Sequence, residues 1–192
     1  HPRLAHMLLE GKRLRLGATA CDLAALLADR DILRQGPGGI ADVDMRIRLD
    51  VLRKASGGDR HIPRALYGHE VHRGGVVRAR AEAADWRRRL GLGGRNADRA
   101  SGRGERGTET DAGDREAGVG LLLALAFPDR IGRRRAGGGG RFLLRNGRGA
   151  TLPAGQPLAK SEWIVAAELD DRGRESRIFL AAPVEEADLL EH

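Results

Sequence analysis

The feature that most constrains this chain is a change of hydrophobic period at residues 128 to 153. Before it, apolar residues recur at steps of three and four, the spacing of a helix face. After it, short apolar runs are separated by Gly, Asn and Asp clusters, the pattern of strands and turns. At the junction Arg133, Arg134 and Arg135 run into four glycines, then into Phe142-Leu143-Leu144 and Asn146-Gly147. Asn and Gly readily take the positive φ values of a two-residue hairpin turn. A helical first part joined to a β second part predicts the α+β class, as an N-terminal helical bundle followed by a small antiparallel β-domain.

In chain order, residues 2 to 10 read as a helix with Leu4, Met7 and Leu8 on one face, ended by Gly11. A second helix begins at Thr19, with Asp22 completing a capping-box-like start and Leu23, Leu26 and Leu27 as its stripe; Gly36-Pro37-Gly38-Gly39 ends it. From Asp42, a good N-cap, a third helix runs to Ala55, with Met45, Leu49 and Leu52 inward and Arg46, Arg48 and Arg53 toward solvent. Ser56-Gly57-Gly58 is its exit. Pro63 opens a longer helical region with Gly74-Gly75 as its weak point, in which Val76, Ala79, Ala83, Trp86 and Leu90 form one stripe. Residues 91 to 114 are rich in Gly, Arg, Asp and Glu and read as a mobile insert that cannot bury enough surface to order itself. A fifth helix spans residues 115 to 127, with another turn expected over 129 to 135.

Strands follow. Residues 141–145 and 148–152 pair across Asn146-Gly147, and 163–169 pair with 177–182; residues 185–190 close the chain as a short helix.

The net charge of +7 is carried by arginine, since Lys12, Lys54 and Lys160 are the lysines among 34 basic residues. A guanidinium fork suits phosphate oxygens better than a point charge does. A G- and C-rich genome would raise Arg, Gly and Ala together, so the total is less informative than its clustering. Residues 128 to 148 hold seven arginines, Arg130, Arg133, Arg134, Arg135, Arg141, Arg145 and Arg148, against one acid, Asp129. These seven are the candidate nucleic-acid-binding residues, for the sugar-phosphate backbone. The lone Cys21 has no partner for a disulfide, which fits a reducing, cytoplasmic setting. No apolar run approaches a membrane span, so no membrane partner is expected. The first residues carry neither an initiator methionine nor a signal pattern, and the chain reads as beginning mid-protein.

Several chemistries find no support. There is no G-x-x-x-x-G-K-[ST] and no Asp-Glu magnesium motif, so no cofactor or ATPase site and no catalytic residue is expected within this segment. Gly102-Arg-Gly-Glu-Arg-Gly107 matches G-x-G-x-x-G but lacks the preceding strand that a dinucleotide site needs. His69 and His72, with His61 nearby, lack the spacing of a zinc helix, and no metal site is expected. Of the aromatics, Phe142, Trp163 and Phe179 either stack bases or fill a barrel, and filling is favoured.

Three groups of residues carry a family resemblance. Ala126-Phe-Pro-Asp-Arg-Ile131, Arg134-Arg135, Arg141-Phe-Leu-Leu144 and Asn146-Gly-Arg-Gly-Ala150 form the first. His1-Pro-Arg-Leu-Ala-His-Met-Leu8 with Leu23-Ala-Ala-Leu-Leu27 and Arg30-Asp-Ile-Leu33 form the second. Glu162-Trp-Ile-Val-Ala-Ala-Glu-Leu169 and Ile178-Phe-Leu-Ala-Ala-Pro183 form the third. Together they resemble the C-terminal region of HrpB-type bacterial DEAH-box ATP-dependent RNA helicases; the likeness is weakest from about residue 57 to 114. The resemblance implies a helicase-associated helical domain at 1–127 and an OB-like β-domain at 128–192. The pattern shows four strands, one fewer than a complete OB barrel. It further implies that RecA-like motor domains precede residue 1 in the same chain, that ATP and magnesium serve the full-length enzyme, and that single-stranded RNA is the partner, with DNA left open. The alternative expectation is a protein-interaction module that docks on the motor or on an acidic partner.

Overall fold

The computed structural model describes residues 1–34, 42–55, 62–92, 109–170 and 175–192, and for 109–117 the backbone alone. The expected exits at 36–39 and 56–58, the G-x-G-x-x-G segment, His61 and most of the expected insert lie outside the described residues. The class is α+β: a helical part containing a three-stranded sheet, and a closed five-stranded barrel.

Helix α1 spans Pro2–Arg13, three residues past its expected stop. Gly11 is buried inside it, because a Cβ there would lie 2.7 Å from Ala20 Cβ and 3.0 Å from a Leu122 methyl. The glycine permits close helix packing and does not terminate. Helix α2, Gly17–Ala28, has no side-chain cap, so the expected capping box is absent. Asp22 instead accepts from Arg87 at 2.5 Å. Burial pushes its carboxyl up, against the pull of that guanidinium.

Helix α3, Met45–Lys54, is capped by Asp44 and not Asp42: the Asp44 side chain accepts from Arg46 N at 2.9 Å. Asp42 accepts from the Asp44 amide one step earlier. Arg48 was expected in solvent and is 3 % exposed. It pairs with Asp31 at 2.7 Å and donates to the carbonyls of Asp42 and Asp44, so the buried charge is matched and hydrogen-bonded.

The expected fourth helix begins ten residues later than Pro63. Residues 33–34 (β1), 65–66 (β2) and 69–71 (β3) form a sheet in the order β1-β3-β2, all antiparallel. The tight turn is Tyr67-Gly68, with φ of 52° and 77°, the two positive values usually met by Asn-Gly. Helix α4, Arg73–Arg89, follows with His72 as its cap, and Val76, Ala79 and Ala83 are buried as the stripe requires. Helix α5 runs Glu109–Ala126.

The barrel consists of β4 (Ile131–Arg134), β5 (Arg141–Leu144), β6 (Gly149–Thr151), β7 (Trp163–Leu169) and β8 (Glu175–Pro183). Its closed order, β4-β5-β6-β8-β7, is consistent with an OB-like barrel. The fifth strand is β4, where a helical turn was expected beyond the short 3-10 helix at Pro128–Arg130. Pairing is not antiparallel throughout, since β6 and β8 run parallel. Phe142, Leu144, Ile164, Ala166 and Ile178 fill the interior. Val165, Ala167, Leu180, Ala182 and Val184 face the other way, into the core shared with the helices. A C-terminal helix α6, Glu186–Glu191, completes the chain. Among the described residues no helix is long and apolar enough to cross a membrane.

Gly120 of α5 sits where the helix meets the end of β8. A Cβ there would lie 2.1 Å from Pro183 O and 2.8 Å from Val184 Cα. Gly120→Ala should therefore cost about 3 kcal/mol or more in urea unfolding, whereas Gly74→Ala, with no atom nearer than 3.7 Å, should be neutral or stabilising by up to about 1 kcal/mol. Equal effects would place the helix-barrel contact elsewhere. Burial pushes the Cys21 thiol up to about 11. Ellman's reagent at neutral pH should leave it unmodified until urea unfolds the chain.

Candidate nucleic-acid interface

The outward face of the barrel is set by the pleat, because alternate residues of a strand point to opposite sides. On β5, Phe142 and Leu144 go inward, so Arg141 and Leu143 go outward. On β4, Gly132 is inward and Arg133 outward. Register then builds two rows across the strands. Trp163, Arg133, Leu143 and Gly149 are neighbours in the first. The Arg135 amide donates to Arg141, which faces Thr151, which faces Arg177, and these form the second. Leu143, 51 % exposed, lies between arginines of both rows.

The seven candidate arginines occupy different places. Arg133, Arg135 and Arg141 share the outward face. Arg133 covers the Trp163 ring at 5.3 Å and lies 3.5 Å from Glu162. Arg135 reaches Glu175 at 3.4 Å, and Thr151 Oγ1 donates to the same carboxylate at 3.0 Å. Both ion pairs are solvent-exposed and thus weak. Arg134 pairs in register with buried Phe142, so the pleat turns it to the opposite side, at the barrel's rim. The three consecutive arginines are therefore not one patch on a face, although all three border a shallow recess with Ala136, Gly137 and Glu162. Arg145 is exposed at the end of β5, beside a recess that also meets His6 and Asp188. Arg148 is half-buried after the hairpin turn, where its amide donates to Asn146 at 3.0 Å.

Arg130 has a different role. Its guanidinium lies 5.0 Å from the Phe127 ring and donates to the Ala167 carbonyl at 2.8 Å. Arg3 flanks the same ring at 5.6 Å and pairs with Asp129 at 2.5 Å. Partial burial pushes the Asp129 carboxyl up, but the Arg3 hydrogen bond and the neighbouring guanidinium charges outweigh it and hold it below the ordinary value. The stability this pair contributes is present above the unfolded-state carboxylate pKa and is lost as pH falls through the lowered one.

The loop joining β4 to β5 runs through Gly137, Gly138, Gly139 and Gly140, with φ of 96°, 71°, 77° and 69°. All four lie in the left-handed region, where a Cβ is strained. The backbone is exposed at Gly137 and Gly139, whereas Gly140 is buried against Leu152 and Ala159. Of the aromatics, Phe142 is fully buried, as barrel filling predicts, and Phe179 is 41 % exposed on β8. Thr151 and Arg177 complete the second row but were not among the expected site residues; the alternation Glu175-Ser176-Arg177-Ile178 marks Arg177 as outward. His69 is buried on β3, and His72 accepts from Gly75 N at 3.1 Å. Among the described residues no group of three His, Cys, Asp or Glu could hold a metal ion.

No protein-family model matches the chain. The curated ATP-dependent RNA helicase HrpB of Escherichia coli (strain K12) is 44 % identical over 72 residues, which is 36 % of this chain and 9 % of that protein. A crystal structure of the E. coli DExH-box NTPase HrpB matches with a TM-score of 0.59 and 27 % identity, covering 100 % of this chain and 18 % of the other. A second, of the E. coli DEAH/RHA helicase HrpB, matches with a TM-score of 0.58 and 25 % identity over 97 % of this chain and 18 % of the other. The chain thus spans a small part of the length of each protein it resembles.

Arg130→Ala should lower unfolding stability by about 1–2 kcal/mol through loss of the carbonyl bond and the ring contact. Exposed Arg141→Ala should stay within about 0.5 kcal/mol of the parent. Urea unfolding followed by circular dichroism separates the two.

Proposed function

We propose, taking the kinship of this chain with the HrpB-type helicases as the premise, that it is the C-terminal accessory region of an ATP-dependent RNA helicase of that type. In this reading residues 1–127 are the helicase-associated helical domain and 128–192 the OB-like domain. The RecA-like motor of the same chain hydrolyses ATP with magnesium, and this region holds single-stranded RNA by its backbone while the motor advances it. The cytoplasm is the compartment such an enzyme works in.

The observation that supports the reading most directly is the pair of rows on the outward barrel face. Arg133, Arg135 and Arg141 stand on adjacent strands about 4.8 Å apart, next to a glycine loop whose backbone a strand of RNA can approach closely. Arg134 borders the same region, while Arg145 lies at the other end of β5. Among the described residues Arg134, Arg141 and Arg145 have no ion-pair partner, so their charge is open to an incoming phosphate. Arg130 is withdrawn from that role by its bond to Ala167. Glu175 holds Arg135 in the free protein and competes with the phosphate for it.

Contacts of this kind follow salt and not sequence. With three or four arginines on phosphates, log affinity should fall with log salt at a slope of about −2 to −3. Fluorescence anisotropy with labelled single-stranded RNA should show binding weakened roughly fifteen- to sixtyfold between about 50 and about 200 mM salt. Arg133→Ala, Arg135→Ala and Arg141→Ala together should flatten that slope, and Glu175→Gln should tighten binding. No RNA affinity at low salt would move this face to a contact with protein, on the motor or on an acidic partner.

A further inference from the structure

We infer that Arg177 and Phe179 on β8 form a base seat, at which an unstacked base of the single strand lies on the Phe179 ring while its phosphates follow Arg141 and Arg135. The inference rests on the proposed RNA role of the same face and adds to it a non-phosphate contact outside the arginine cluster.

Four observations meet at this place. First, Phe179 is 41 % exposed on β8 between buried Ile178 and Leu180, at the place where pairing with β7 is irregular: Ile178 pairs with Leu169 and Leu180 with Glu168, and Phe179 is left between them. Ile178 faces the barrel and Leu180 the helical core, so the ring is presented at an irregularity inside the strand and not at a frayed end. Second, the Arg177 guanidinium lies 5.7 Å from the Phe179 ring centroid, which fixes a cation at the ring and leaves part of the ring open. Third, the register continues the arginine row into this strand: Arg135 and Arg141 are bonded neighbours, Arg141 faces Thr151, and Thr151 faces Arg177. The row therefore crosses β4, β5, β6 and β8, about 14 Å from end to end, so a strand held at one end is delivered to the ring at the other. Fourth, the other barrel aromatics do not offer an equivalent surface. Phe142 is inside, and Trp163 is partly buried against the core shared with the helices. A ring with an open face beside a row of phosphate-binding cations is the combination that stacks bases of any identity.

The negative groups near this path are Glu175, which holds Thr151 and Arg135, Glu168, exposed near the end of β7, and Asp170, whose carboxylate accepts from the Arg177 amide at 2.7 Å. Glu175 meets the row at its phosphate-binding part and not at the ring, so it tunes the electrostatic share of binding and leaves stacking untouched.

The test uses the chain as it stands and a single-stranded RNA carrying 2-aminopurine, whose fluorescence is quenched on stacking. Phe179→Ala and Phe179→Leu should each weaken binding about 5- to 150-fold, abolish the protein-induced quenching and leave the salt slope unchanged. Phe179→Leu retains apolar bulk, so its loss reports the π-face and not folding. Phe179→Trp should restore both affinity and quenching. Arg177→Ala should flatten the slope by about 0.7. Unchanged affinity and quenching in Phe179→Leu, with the arginine variants still defective, would overturn the base seat while the phosphate-binding face stands. Absence of binding by the parent chain at low salt would overturn both.

Discussion

The structure depends on two strands that are buried on both sides. In β7, Ile164 and Ala166 fill the barrel while Val165 and Ala167 belong to the core built by α1 to α5. In β8, Ile178 and Ala181 face the barrel while Leu180 and Ala182 face the helices. Fully burying a Val or Leu side chain is worth about 1.5–3 kcal/mol, and here each core draws that stabilisation from the strands of the other. The register shift between Ala166 and Glu168 falls where β7 passes from this two-sided environment to solvent. A barrel strand ordinarily has one wet face; these lose theirs over residues 165–167 and 180–182, and the wet face that remains carries Arg133, Arg135, Arg141 and, on the first half of β8, Arg177.

The segment ahead of α3 completes the joint. Ala181 N donates to the Val43 carbonyl at 2.8 Å, Val43 N donates to Gln156 Oε1 at 3.0 Å, and Val43 itself packs in the barrel core. Val43 and Asp44 thus lie along β8 as an added piece of strand, with Asp44 bridging Ala181 in parallel. Arg48 then binds the carbonyls of Asp42 and Asp44 from inside and is neutralised by Asp31. Removing one partner of such a buried set leaves charge and carbonyls uncompensated. The barrel is therefore clasped through Val43 as well as covered by α5.

What the sequence made legible follows from where its signals were strong. The stripe Val76-Ala79-Ala83 and the Asn146-Gly147 hairpin were readable because period and turn chemistry agree there. Strand β4 was not, because its inward position is Gly132: a Cβ there would sit 3.0 Å from Leu144 and 3.3 Å from Phe142, so the strand carries no apolar alternation to detect. The small sheet was hidden by Tyr67, a residue that rarely takes φ of 52°. Arg48 looked solvated because its partner Asp31 is remote in sequence. For the candidate interface, the cluster of arginines was visible as charge, but its division into outward, rim and structural members is a matter of pleat and register. Arg177 escaped because it lies outside the dense run, and only strand pairing brings it alongside Arg141.

The run from Gly137 to Gly140 looks, on composition, like drift in a glycine- and arginine-rich sequence. Its dihedrals say otherwise. Four consecutive residues held in the left-handed region form a segment whose handedness opposes that of the rest of the polypeptide, and an achiral residue alone occupies it without penalty; each L side chain would cost roughly 1–2 kcal/mol. A repetitive tract is usually the part of a gene most tolerant of substitution. Here the tolerance is inverted, and most missense changes within these four codons would be read by the fold as errors of chirality.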